Sequence, residues 1–111
     1  MDGTLVSDES IDVAGLEEIP RRGARTVVTQ GETIALFRTG EDRVFALADR
    51  CPHRGGPLSH GIVHGERVTC PLHNWVIALA TGIAEGEEAP CVPCFRVRVE
   101  DGRILLSLNG A

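Results

Sequence analysis

Lysine and tyrosine are absent from this chain, and methionine and tryptophan occur once each. All eleven basic residues are arginine, and against sixteen acids they leave a net charge of −5. An acidic chain with three phenylalanines and one tryptophan lacks the basic, aromatic-laced surface that tracks a phosphate backbone. Nucleic acid is therefore excluded as a partner, and the arginine-only usage reads as composition bias. No apolar run approaches the roughly 20 residues that a membrane span requires. The first ten residues, MDGTLVSDES, carry neither the basic nor the apolar region of a secretory signal. A cytoplasmic chain with no membrane partner is expected. Helix-length amphipathic stretches and internal repeats are missing too, and what remains is a pattern of strands.

Thirteen glycines and six prolines in 111 residues suit a loop-rich β protein with one domain and one modest core. Strands are expected at residues 25–29 and 33–38, around Gln30-Gly31-Glu32, and at 44–49 after the Gly40-Glu41-Asp42 turn. Two more, at 62–64 and 67–69, flank Gly65-Glu66. The last pair, 95–100 and 103–108, flanks Asp101-Gly102, the strongest hairpin signal in the chain. Residues 16–19 read as one helical turn before Pro20, and residues 1–10 as a flexible tail. The fold class is all-β, with strand–loop–strand units joined by short turns.

Chemistry concentrates in two of the loops. One reads Cys51-Pro52-His53-Arg54-Gly55-Gly56-Pro57-Leu58 and the other Cys70-Pro71-Leu72-His73-Asn74-Trp75. As a pattern this is C-x-H, sixteen intervening residues, then C-x-x-H, with two thiolates and two imidazoles in matched pairs. Glycine and proline beside ligands build tight loops whose backbone N–H groups can face a sulfur carrying negative charge. Structural zinc takes two cysteines and two histidines, which would make the chain a non-redox interaction module. Zinc sites usually draw on C-x-x-C and H-x-H pairs, whereas each loop here offers one residue of each kind. A [2Fe–2S] centre with two histidines on one iron needs the set found here.

These loops resemble those of Rieske-type iron–sulfur proteins. The longer stretch from Cys51 to Gly82 includes Gly61-Ile62-Val63-His64-Gly65, Val68-Thr69-Cys70 and Leu79-Ala80-Thr81-Gly82. It is similar to the small subunit of NAD(P)H-dependent assimilatory nitrite reductase, with the free Rieske ferredoxins of aromatic-ring dioxygenase systems close behind. The resemblance implies a single Rieske domain over residues 1–111, an antiparallel β-sandwich with a cluster-binding subdomain inserted at about residues 49–79. It implies one [2Fe–2S] cluster per chain, with Cys51 and Cys70 on the buried iron and His53 and His73 on the outer one. It also implies a one-electron carrier with no catalytic residues of its own. The partner would be a large siroheme and flavin nitrite reductase subunit, or another redox protein. A complete Rieske oxygenase would need a further iron domain, for which 111 residues leave no room. The quinol-oxidising Rieske subunits carry a membrane anchor and are disfavoured.

The resemblance also bears on potential. High-potential relatives have an inter-loop disulfide, whose cysteines would fall where Gly56 and Leu72 stand. They also place a serine two residues after the second histidine, where this chain has Trp75, and a tyrosine nearby. Without those donors the potential should lie low in the range of about −150 to +300 mV. Trp75 itself is read as core packing beside the loop.

The remaining candidates are read conservatively. Cys91-Val92-Pro93-Cys94 has the spacing of a redox pair or a metal half-site. Such a pair needs a helix terminus to be activated, so two free thiols near a strand start are expected. His60 and His64 have no third ligand at fitting spacing and are expected to face solvent from a loop. From residue 50 to residue 80, Arg50, Arg54 and Arg67 face the single acid Glu66, a surplus of two positive charges. The rest of the chain then carries −7, partly in Glu85, Glu87 and Glu88. A basic cluster end on an acidic body would orient docking.

Overall fold

Four consecutive apolar residues, Ile34 to Phe37, organise the molecule. A strand alternates its side chains between two faces, so a run with no polar interruption belongs between two layers. The computed structural model describes residues 10–29, 31–50, 57–70, 75–85 and 91–107, and places that run at its centre. Ten strands are described: β1 (Ser10–Gly15), β2 (Gly23–Thr29), β3 (Glu32–Arg38), β4 (Val44–Ala48), β5 (Ile62–His64), β6 (Arg67–Thr69), β7 (Val76–Ala78), β8 (Cys94–Phe95), β9 (Val97–Glu100) and β10 (Arg103–Ser107). They form three antiparallel sheets with orders β1-β10-β9, β2-β3-β4-β8 and β5-β6-β7.

The middle sheet is covered on both sides. Ile34 and Leu36 point into one core with Ala14, Ile19, Ala46, Ile104 and Leu106, shared with the sheet of β1, β9 and β10. Ala35 and Phe37 point into a second core with Leu47, Leu58, Val63, Val68, Cys70, Ile77 and Leu79, shared with β5–β7. All four residues of the run are at most 2% exposed. The fold is all-β and antiparallel, as expected.

Several boundaries differ from the sequence reading, for local reasons. The strand expected at 95–100 is two strands, because the chain changes sheets at Arg96, whose carbonyl accepts the Ser107 N–H at 2.9 Å. β8 pairs with β4, while β9 pairs with β10 across Asp101-Gly102. Both turn residues have positive φ, as a two-residue hairpin requires. β1 was not anticipated, since its register shifts between Asp12 and Ala14 and its pattern does not alternate cleanly. Ser10, assigned to the tail, opens that strand, while residues 1–9 lie outside the described residues. β7 has three residues, too few for a period to register. The helical turn is a single 3-10 turn at Leu16–Glu18.

Arginine–carboxylate contacts tie the rim of the body. Asp42 receives Arg21 and Arg38, which hold its carboxyl below the ordinary value of 3.8. Arg103 does the same to Asp12 through paired hydrogen bonds, and its own pKa rises in return.

Candidate metal centre

The first ligand loop leaves the central sheet at the end of β4. Three bonds secure its start: Ala48 N–H to Pro93 O at 2.9 Å, Asp49 N–H to Thr33 O at 3.0 Å, and the Arg50–Glu32 ion pair at 2.9 Å. Its far end is a second 3-10 turn, Leu58–His60, with Leu58 fully buried in the core beneath. The two ends are joined by one side chain. Asp49 accepts the Ser59 backbone N–H at 2.7 Å and the Ser59 hydroxyl at 2.9 Å.

Gly61 then brings this loop against the second. A Cβ on Gly61 would lie 2.3 Å from the Thr69 carbonyl oxygen and 3.1 Å from that of Leu58. Only glycine permits so close an approach, and Thr69 is the residue before Cys70. The second loop is closed at its base by Cys70 N–H donating to Trp75 O at 2.7 Å. Cys70 is fully buried among Val68, Ile77 and Leu58, and Trp75 packs partly buried against the same core, as expected of it.

Of the four expected ligands, the structure therefore places Cys70, while Cys51, His53 and His73 lie outside the described residues. So do Arg54, Gly56 and Leu72. The described frame fits an iron–sulfur group. A buried thiol stands at a strand end, and its loop is closed by one backbone bond. That loop's base touches the base of the other Cys/His loop. Thiolates held in an apolar, hydrogen-bonded setting are the donor set such a group takes.

Cys91 is exposed and bridges to Ile83, and half-buried Cys94 opens β8 opposite Leu47; both are free thiols. Among the described residues, neither stands at a helix terminus. Their segment links the layers through Val92 N–H to Gly82 O at 2.8 Å and the Ala48–Pro93 bond. His60 and His64 are both exposed. His64 ends β5, the strand expected at 62–64, and its ring hydrogen-bonds Thr69 Oγ1 across the hairpin at 2.7 Å. The basic surplus is largely compensated: Arg50 pairs with Glu32 and Arg67 with Glu85 at 2.7 Å. Asp49, Ser59 and Gly61 were missed, since single residues outside the ligand motif carry no pattern. Asp49 two positions before Cys51 was the available signal.

Two loops whose bases meet in a layered antiparallel β structure, each bearing a cysteine and a histidine in sequence, define a small iron–sulfur electron-transfer domain. The model of the Rieske [2Fe-2S] domain family matches residues 9–96, and the chain belongs to that family, with one [2Fe–2S] cluster and the role of an electron carrier. It is 30% identical over 105 residues to the ferredoxin component of the naphthalene 1,2-dioxygenase/salicylate 5-hydroxylase systems of Ralstonia sp., covering 89% of this chain and 95% of that protein. A solved structure described as a putative NADPH nitrite reductase small subunit is 28% identical with a TM-score of 0.79, over 88% of this chain and 97% of the other. A putative NADH-dependent nitrite reductase small subunit from Mycobacterium tuberculosis superposes with a TM-score of 0.83 at 24% identity, over 92% and 96% of the two chains, and shows the shared fold. No helix among the described residues is long and apolar enough to cross a membrane.

Proposed function

We propose that this chain is the one-electron carrier of an NAD(P)H-dependent nitrite reductase, working in the cytoplasm beside a large siroheme and flavin subunit that reduces nitrite to ammonia. Cys51, His53, Cys70 and His73 would hold its cluster. The cluster, when bound, accepts and returns single electrons. The chain's own residues do the rest. Cys70 is buried in one core with Val68, Ile77 and Leu58, Trp75 packs against that core, and the Asp49–Ser59 bonds join the two ends of the first loop. The observation that carries the reading is the stretch from Cys51 to Gly82, with its Gly61-Ile62-Val63-His64-Gly65, Val68-Thr69-Cys70 and Leu79-Ala80-Thr81-Gly82, which resembles the nitrite reductase small subunits. The 28% identical structure of that description supports it.

The test is nitrite-dependent NAD(P)H oxidation by the large subunit, with and without this chain. Dependence on the chain is expected. Two irons and two labile sulfides per chain are expected as well, whereas equimolar zinc without sulfide would return the chain to the interaction-module reading. Arg54→Glu should slow electron transfer most strongly at low salt, because exposed charges are screened beyond about 10 Å at 0.1 M ionic strength. A second reading, the ferredoxin of a ring-hydroxylating dioxygenase, is favoured by the 30% identity to the Ralstonia ferredoxin component. Efficient reduction of such an oxygenase, with no effect on nitrite turnover, would select it.

A further inference from the structure

We propose that Asp49 is a positioning residue for the cluster, acting as a clamp that ties the two ends of the first ligand loop and thereby sets that loop against the second. The inference rests on the ligand reading above. Asp49 is half-buried, and each of its carboxylate oxygens is committed to Ser59: Oδ1 accepts the backbone N–H at 2.7 Å and Oδ2 accepts the hydroxyl at 2.9 Å. The neighbouring arginine does not compete for it, since Arg50 is taken by Glu32. Among the described residues this carboxylate thus takes no part in surface ion pairs such as those that engage Asp12 and Asp42, and both of its hydrogen bonds go to one residue ten positions along the chain.

The enclosed residues include Cys51 and His53. Fixing Ser59 also fixes the 3-10 turn Leu58–His60 that it belongs to, and Gly61 immediately after, which lies against Thr69 O. From Thr69 the chain passes directly to Cys70. A continuous run of contacts, Asp49 to Ser59 to Gly61 to Thr69, therefore couples the base of one loop to the base of the other without passing through the ligands. Groups that orient metal ligands from behind affect retention and electronic structure of the site, beyond their share of fold stability.

The experiment uses the full chain, reconstituted as wild type, Asp49→Asn, Asp49→Ala and Ser59→Ala. It reads the cluster half-life against an iron chelator, the line shape of the paramagnetic signal after reduction, and the far-ultraviolet spectrum as a check on folding. The asparagine Oδ1 can accept the Ser59 N–H while its amide donates to the hydroxyl, so Asp49→Asn keeps the clamp without its charge. Asp49→Ala should lose its cluster about 10- to 100-fold faster than wild type, with an altered line shape. Asp49→Asn should stay close to wild type, and Ser59→Ala, which retains the backbone bond, should fall between. A folded Asp49→Ala with native half-life and line shape overturns the proposal. Asp49→Asn as leaky as Asp49→Ala also overturns it, because charge and not the paired bonds would then matter. If Asp49→Ala does not fold, Ser59→Ala carries the test, and a native half-life and line shape there overturns the clamp. A wild-type chain that takes up no iron and sulfide instead refutes the ligand reading itself.

Discussion

The body of the molecule and its ligand-bearing unit are built on different terms. In the body, β2 and β3 run seven residues each in unbroken register, and two cores meet across β3. The unit has three strands of three residues, each burying one central side chain: Val63, Val68 and Ile77. Three such side chains do not make a core, so the unit packs against Phe37 and Leu47 of the central sheet. A sheet this short is marginal by itself. Its order depends on the central sheet below and on what its loops bind above. The part that does the chemistry is the part least able to fold alone.

That contrast can be broken most sharply at Cys70. Cys70→Ser should abolish cluster assembly, and hydrogen exchange should accelerate in β5–β7 while β2–β4 and β10 stay protected. Equal loss of protection in both regions would show that they form one cooperative unit. Phe37→Ala and Leu36→Ala form the next pair, adjacent residues serving opposite cores. Phe37→Ala should cost about 3–5 kcal/mol and loosen the ligand-bearing unit, and Leu36→Ala about 2–5 kcal/mol with its effect on the β1, β9 and β10 side. Denaturant melts with exchange mapping would check both.

Gly82 closes the unit at φ +74°, and a Cβ there would lie 2.2 Å from Val92 O. Gly82→Ala should therefore destabilise by about 1–3 kcal/mol from backbone strain alone, more if Val92 cannot yield. A neutral result would mean that the link from Gly82 to Val92 is expendable. Smaller still is the rim effect at Asp42. Arg21 and Arg38 lower its folded pKa below 3.8, so its contribution is complete above that pH and fades as pH falls through the lower folded value. Asp42→Asn should melt below the wild type at neutral pH, with the gap closing under acid; a gap that widens would contradict the pairing. Last, Cys91→Ser with Cys94→Ser should leave iron content, visible spectrum and potential unchanged. Iron loss would make that pair part of the centre.

The two regions also differ in how much of them can be read in advance. The ligand pattern needs no tertiary knowledge, because C-x-H and C-x-x-H bring their donors within one short loop each. β5 and β6 stand at the expected residues for a similar reason, since Gly65-Glu66 marks the turn and only one register suits it. The buried run at 34–37 likewise announces a strand covered on both faces. By contrast, β1 finds its partner β10 about ninety residues away, and nothing local specifies that pairing. The break at Arg96 is of the same kind, since β8 and β9 separate only because two different sheets compete for one stretch of chain.

By itself, then, the amino-acid sequence determined the class of chemistry and the all-β character, because donor identity and side-chain alternation are properties of neighbours along the chain. The tertiary structure alone decided the contacts around the bases of the two loops. Asp49 reaches Ser59, Gly61 meets Thr69, and Arg50 and Arg67 spend their charge on Glu32 and Glu85. The Asp49, Arg50 and Arg67 contacts join residues that are not neighbours along the chain, and the Gly61–Thr69 approach closes the base of the β5–β6 hairpin; the first three depend on packing that no local pattern encodes.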